Sequence, residues 1–414
     1  MSRGLAVAVA LGACLLSAGG IARAQDRGEA HGDLRIFTQP APSDFLIVIT
    51  PTVTGKVDVR PWLRFDVDWS ADVVTGATPR TYGSPDVVSA ATSFTEVRNV
   101  IGAGVSGIVG PATLSAGYAY GTENDYHSNL IRFGGSVDLF HHNTILSADY
   151  SHSFDSICDL AQPGVPVTLR QPLDSARGCF AGTPGLTTES LGIDFVELAV
   201  SQTLTPRLVG SLSGTYQHLS GFQSNPYRTV RLDGGLEQAQ ESHPSVRDRG
   251  AATAKLRYAV AKLAATLGGD LRLYRDTWGI QSITGELSWD QPFSLAKPEW
   301  RYVARARGYV QSGAVFYRDA GNADSYERAG PVGSFFTADQ ELAPLADLLV
   351  GARFVHSMAH QPAHRKWHMF TNVEWEFGLD YVKIFALSPH PPNFARIDNW
   401  ASALVASFGV TGRF

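Results

Sequence analysis

Most of this chain is written in segments that alternate apolar and polar residues with a period of two. At its end Leu404, Ala406, Phe408, Val410 and Phe414 fall on one parity, and Ser407, Gly409, Thr411 and Arg413 on the other. Successive side chains of a strand point to opposite faces, so this spelling produces one oily face and one wet face. The habit recurs in Leu63, Phe65, Val67 and Trp69, in Leu114, Ala116, Tyr118 and Tyr120, in Ile131, Phe133 and Val137, and in Val373, Trp375, Phe377, Leu379 and Tyr381. An all-β chain is the expectation.

The connections between these segments come in two lengths. Short ones fall at 57–60, 109–111, 140–143, 203–206, 261–262, 293–298 and 359–366. Long ones fall at 74–92, 155–187, 219–246, 317–344 and 387–399, with 121–125 and 275–277 as shorter members of that set. The two sets alternate, as short periplasmic turns and long extracellular loops do in a transmembrane up-and-down antiparallel barrel. With a first strand at 34–38 and a last at 400–414, the tally is about sixteen strands with both termini periplasmic. An extra strand in 334–342 and a hairpin inside 367–387 would raise it to about eighteen, and about fourteen is the lower alternative.

Beyond residue 24 no run of about 18 apolar residues occurs, so a helical span is unavailable. A hydrophobic share of 44%, a mean hydropathy of -0.06 and 18% charged residues would suit a soluble protein. A barrel reconciles them, because only alternate residues face lipid. A soluble sandwich also alternates, but strands this numerous and a chain that ends on an aromatic residue favour the barrel. Trp289, Trp300, Tyr216 and Tyr150 stand near strand ends, where aromatic girdles meet lipid headgroups.

Residues 1–24 have the form of a signal peptide that is removed: Arg3, an apolar core over 5–18, and Ala22-Arg23-Ala24 before Gln25. A lipoprotein box at Leu11-Gly12-Ala13-Cys14 would cut that core in half. Residues 25–414 are then one barrel domain. The terminal Phe414 resembles the insertion signal of bacterial outer-membrane barrels, which implies the outer membrane as location, with its lipid and the barrel-assembly machinery as partners. A net charge of -5 and a pI of about 6.2 argue against nucleic acid. No oligomeric state can be read from the pattern.

Cys158 and Cys179 share one long loop in an oxidising compartment, where a disulfide is expected. The wet parity supplies two charged walls. Arg301, Arg305 and Arg307 lie on one face of a strand, joined by Arg249, Lys255, Arg257 and Arg272 on nearby segments. Asp66, Asp68 and Asp72 on an early strand and Glu374, Glu376 and Asp380 on a late one oppose them. A transverse field across a lumen suits passive passage of small polar solutes. The competing reading pairs these charges into a filled structural barrel that anchors or assembles partner proteins.

His356, His360, His364 and His368 recur every four residues, but Pro362 interrupts a helix there and no carboxylate or thiolate accompanies them, so they are weak metal candidates. G-x-S-x-G, H-E-x-x-H and phosphate-loop motifs are absent, and no enzyme or cofactor is implied. Asp125, His127 and Ser128 near an outer loop are polar residues of the kind outer-membrane hydrolases use, but three polar residues in a loop are far more often simply solvated.

Five strings carry a family resemblance: Asp72 to Pro79, Tyr118 to Glu123, Phe222-Gln223-Ser224-Asn225-Pro226-Tyr227-Arg228, Tyr274 to Gly279, and Gln311 to Ala314. They resemble the proteobacterial family catalogued as domain of unknown function number 3570. The resemblance implies an outer-membrane barrel and supplies no activity. Asn225, Tyr227 and Arg228 are candidates for a loop folded inward to constrict a lumen.

Overall fold

The computed structural model describes residues 27–40, 45–75, 96–173, 179–232, 237–295, 297–317, 335–337, 339–359, 370, 372–387 and 400–414. Its strands are β1 (Gly28–Pro40), β2 (Phe45–Arg60), β3 (Leu63–Thr75), β4 (Glu96–Val109), β5 (Ala112–Thr122), β6 (Tyr126–Leu139), β7 (Thr144–Leu160), β8 (Leu186–Thr205), β9 (Leu208–Gly221), β10 (Thr229–Leu232), β11 (Glu237–Gln240), β12 (Val246–Val260), β13 (Ala265–Asp276), β14 (Gln281–Ser294), β15 (Lys297–Gln311), β16 (Leu345–Ala359), β17 (Asn372–Ala386) and β18 (Trp400–Arg413). Sixteen of them, all except β10 and β11, close into one antiparallel barrel in which each strand pairs with its neighbours in sequence. β10 and β11 form a separate small hairpin.

Closure is made by β1, which pairs with β2 on one side and with β18 on the other, from Glu29↔Arg413 to Thr38↔Leu404. The Phe414 carbonyl accepts from the backbone N–H groups of Arg27 and Gly28 at 2.7 and 2.8 Å. A closed sheet leaves no unpaired edge, the condition for a sheet to sit in hydrocarbon.

Two ambiguities of the pattern are resolved. Within 334–342 the described residues make isolated bridges, Ser242↔Phe336 and Tyr317↔Thr337, and a 3-10 turn at Gln340–Leu342, none of it part of the barrel wall. β17 is one unbroken strand, because its outward parity from Val373 to Tyr381 pairs continuously with β16 and β18. β1 begins at Gly28, earlier than the expected 34, and β7 and β8 stay paired as far as Leu160↔Leu186, which shortens the loop expected over 155–187.

The parity rule holds around the wall. Leu114, Phe133, Leu198, Leu212, Leu287, Val350 and Phe377 are all exposed and all point outward. An apolar belt of this extent is a liability in water and a match for lipid. The tight turn between β6 and β7 runs through three consecutive left-handed residues, Phe140, His141 and His142.

Candidate functional site: the lumen wall and its loop cap

The inward parity of β12 to β16 carries the basic wall, and most of its arginines are matched to a carboxylate on the same stretch of wall. Arg257 takes Asp270 at 3.0 Å, Arg301 takes Asp290 at 3.1 Å and Arg307 takes Asp347 at 3.1 Å. Arg305 reaches Asp380 on β17 at 3.0 Å, passing over Gly351 of β16. Arg353 stands 3.9 Å from Glu376. Arg249 donates to Gln217 at 3.1 Å, while Lys255 and Arg272 have no ion pair among the described residues. The wall therefore keeps a cationic surplus after pairing.

Opposite, Arg132 of β6 reaches Asp66 and Asp68 of β3 at 3.2 and 3.1 Å across two intervening strands. It can do so because the lumen positions between them are glycines. A Cβ on Gly102 would lie 2.5 Å from Asp68 Oδ2, one on Gly104 would lie 2.6 Å from Asp66 Oδ2, and one on Gly117 would lie 2.5 Å from Arg132 Nε. The charges lie flat in a trough along the wall. Asp72 and Glu374 accept from the hydroxyls of Thr50 and Ser357, each at 2.6 Å. Gly104→Val is expected to lift Asp66 off Arg132 and to cost about 1–3 kcal/mol, seen as a lower urea midpoint of the refolded barrel; an unchanged midpoint would mean the trough has slack.

Over one end of the barrel, the described parts of three long loops pack into a cap. The Cys158–Cys179 disulfide, with Cα atoms 5.4 Å apart, ties the first loop to β7. Leu173 N–H donates to the Pro226 carbonyl and Gln240 N–H to the Arg170 carbonyl, each at 2.8 Å, so the first loop holds the second. The Gln240 amide also donates to Asp159 at 2.8 Å. Glu241 is the junction with the third loop: its carboxylate accepts from Asn225 N–H at 2.9 Å and Thr337 hydroxyl at 2.8 Å, with His243 Nε2 at 3.5 Å. Arg228 pairs with Asp339 and stands 3.9 Å from Glu241. An apolar plug of Trp278, Ile280, Phe316 and Leu342 lies beside this junction.

The cap leans over the lumen. Gln311, which shares the inward parity of Arg305 and Arg307, donates to the carbonyls of Glu341 and Ala343 at 2.8 and 2.6 Å. Burial by itself would raise the Glu241 carboxyl, but His243 and Arg228 outweigh it and hold it down to about 2. Burial opposes the charge of Arg228, and Asp339 and Glu241 overcome that and raise its pKa. Glu341 goes the other way: burial, reinforced by Asp339, pushes its carboxyl well above the usual range.

A family model described as "Protein of unknown function (DUF3570)" matches residues 46–383. The chain belongs to that family. No curated protein matches its sequence. Among solved structures the chain is similar to a "Bacterial polysaccharide outer membrane secretin", with 11% identity over 95% of this chain and 100% of that one at a TM-score of 0.49. It is similar to Pseudomonas aeruginosa OpdK, with 9% identity over 93% and 99% of the two chains at a TM-score of 0.41. Pseudomonas aeruginosa OccK2 (OpdF) gives 9% identity, 94% and 98% coverage and a TM-score of 0.39.

In this DUF3570 barrel the candidates for a constricting loop have become cap interior. Asn225 and Tyr227 are buried, the Asn225 side chain accepting from Tyr227 N–H at 2.9 Å, and Tyr227 packs on Cys158 and Leu173. His356 stacks on Trp300 with ring centroids 3.9 Å apart, while His360, His364 and His368 lie outside the described residues. No group of three or more metal-competent side chains occurs among the described residues. His127 stacks on Phe180 at 3.6 Å and Asp125 is buried.

One feature of the outer face escaped the pattern. Tyr150 and His152 bond Asp194 at 2.7 and 2.8 Å, and Tyr216 and His218 bond Asp248 at the same distances. The register places His152, Asp194, His218 and Asp248 in one row across β7, β8, β9 and β12. The repeated Tyr-x-His is its trace in the sequence.

Proposed function

We propose that this barrel is a passive channel through which small polar solutes cross the bacterial outer membrane. The observation that carries the reading is the direction of the ion pairs. They bind β12 to β13, β14 to β15, β15 to β16 and β17, and β3 to β6, along the wall and not across the lumen. Cross-lumen ladders would fill a barrel. Side chains on the wall keep access to water, as with Arg132 at 40% and Arg301 at 45% of full exposure. The cationic surplus at Lys255 and Arg272 faces the acidic trough on β3, which supports a transverse field.

Planar-bilayer recording of refolded protein tests this. Stable current steps that vanish on denaturation are expected; silence at high protein load, with the cap intact and with it loosened, would turn the reading to a filled barrel that anchors partners. A second expected outcome concerns selectivity. Replacing Arg301, Arg305 and Arg307 with Gln strips the partners from Asp290, Asp380 and Asp347. The reversal potential in a salt gradient should then move toward cation preference, and an unmoved potential would take these residues off the conducting route. Outer-membrane lipid and the barrel-assembly machinery are proposed partners on the same footing.

A further inference from the structure

On the acidic side, the glycine trough widens into a recess of about 630 Å³ that reaches from β2 to β8. Its charge is lopsided. Asp66, Asp68 and Asp149 line it against Lys56 and Arg132. Arg132 is already shared by Asp66 and Asp68. The Asp149 carboxylate lies over Gly134, where a Cβ would strike it, and has no ion pair or hydrogen bond among the described residues. Glu197 adds to the surplus, since it faces Asp149 in the β7–β8 register.

The recess also has an apolar floor, on a face of the sheet that is otherwise polar here. Phe195 and Leu130 both line it. Phe195 is directly opposite Ser151, two residues along β7 from Asp149, so the ring and the carboxylate are diagonal neighbours on one face. An unpaired anion beside an aromatic face is the arrangement that holds a cation bearing hydrocarbon: the ring contributes through its quadrupole and through burial, the carboxylate through charge.

We infer that this recess is a binding subsite for organic cations with an apolar or aromatic body, the cationic group held by Asp149 and the body laid on Phe195 and Leu130. The subsite rests on the reading of the lumen as a solute route. Anions of the same shape meet Asp149 and Glu197; of the two cations in the recess, Arg132 is engaged by two carboxylates and Lys56 stands at the far side on β2, opposite Asp66 in the register. Small cations without a body forgo the floor.

Titration calorimetry on the refolded protein in detergent tests the subsite, with benzylamine, benzoate and methylamine as probes and benzyl alcohol as the control for micelle partitioning. Protonated benzylamine is expected to bind more tightly than the other three. Asp149→Asn should weaken it about fivefold, and Phe195→Leu about threefold. Benzoate binding as well as benzylamine, or affinity unchanged in both variants, overturns the inference. Bilayer recording with the same probe separates it from the channel reading: a protein that binds benzylamine and never conducts refutes the route and keeps the subsite. A conducting protein that ignores benzylamine refutes the subsite alone.

Discussion

Arg228→Ala is expected to unlatch the cap, at a cost of about 3–5 kcal/mol to the cap's local stability. The guanidinium is the cation between Asp339 and Glu241, and the Glu241 side chain has no exposed surface. Removing it leaves carboxylates packed among loops, with His243 as the basic neighbour left to Glu241 and the neutral donors Asn225 N–H and Thr337 hydroxyl beside it. Hydrogen exchange of the backbone over residues 224–228 and 237–243 reads the effect directly, since the barrel strands should keep their protection while the cap loses it. Arg228→Lys should recover part of the loss, because a point charge replaces a planar fork. Protection equal to that of the parent would show that backbone pairing between the loops, and not the charge cluster, closes the cap. On the channel reading, the same variant should also pass a larger current.

The cluster sets a pH window whose sign follows from its two perturbed carboxyls. Glu241 is held at about 2, below its ordinary 4.5. Its contribution is complete above pH 4.5 and drains away as pH falls toward 2. Glu341 is raised, so its contribution is complete below its ordinary 4.5 and is lost as pH rises through the higher folded value. The cap is therefore tightest on the mildly acid side. Glu341→Gln should abolish the loosening at rising pH while leaving the acid limb in place, measured by exchange protection across a pH series.

The second large effect is covalent. Opening the Cys158–Cys179 bridge by a Ser pair frees a loop whose ends are 21 residues apart, and the chain-entropy model puts the loss at about 3 kcal/mol. The damage should be local. Tyr227 and Leu173 pack on Cys158, and the Leu173–Pro226 and Gln240–Arg170 backbone bonds depend on that loop staying down. Limited proteolysis of the refolded protein, with and without reductant, is the measurement. Faster cutting within residues 160–186 is expected while the strand-paired core resists, and cutting rates that ignore the bridge would mean the packing around Tyr227 suffices.

Much of the wall was legible because a strand's side chains have no choice but to alternate. Phe377 and Leu379 point out and Glu376 and Asp380 point in as soon as the segment is a strand, and the alternation of short and long connections then limits the order to an up-and-down barrel. Cys158 and Cys179 were likewise legible, from compartment and count. The alternation is a local rule that acts within a few residues, and the bridge, between cysteines 21 residues apart, follows from their sharing one loop, so the chain alone determined both.

Partnership was not local. Arg305 belongs to Asp380 and Arg132 to Asp66 and Asp68, pairs that are 75, 66 and 64 residues apart. Only barrel closure and the register decide which side chains fall within reach, and a glycine at 104 or 351 matters only once its neighbours in space are known. Glu241 and Thr337 meet over 96 residues because two loops fold onto each other. Sequence fixes what each residue can do; the distances at which charges attract are set by the closed sheet and its cap, which is where the character of the lumen was decided.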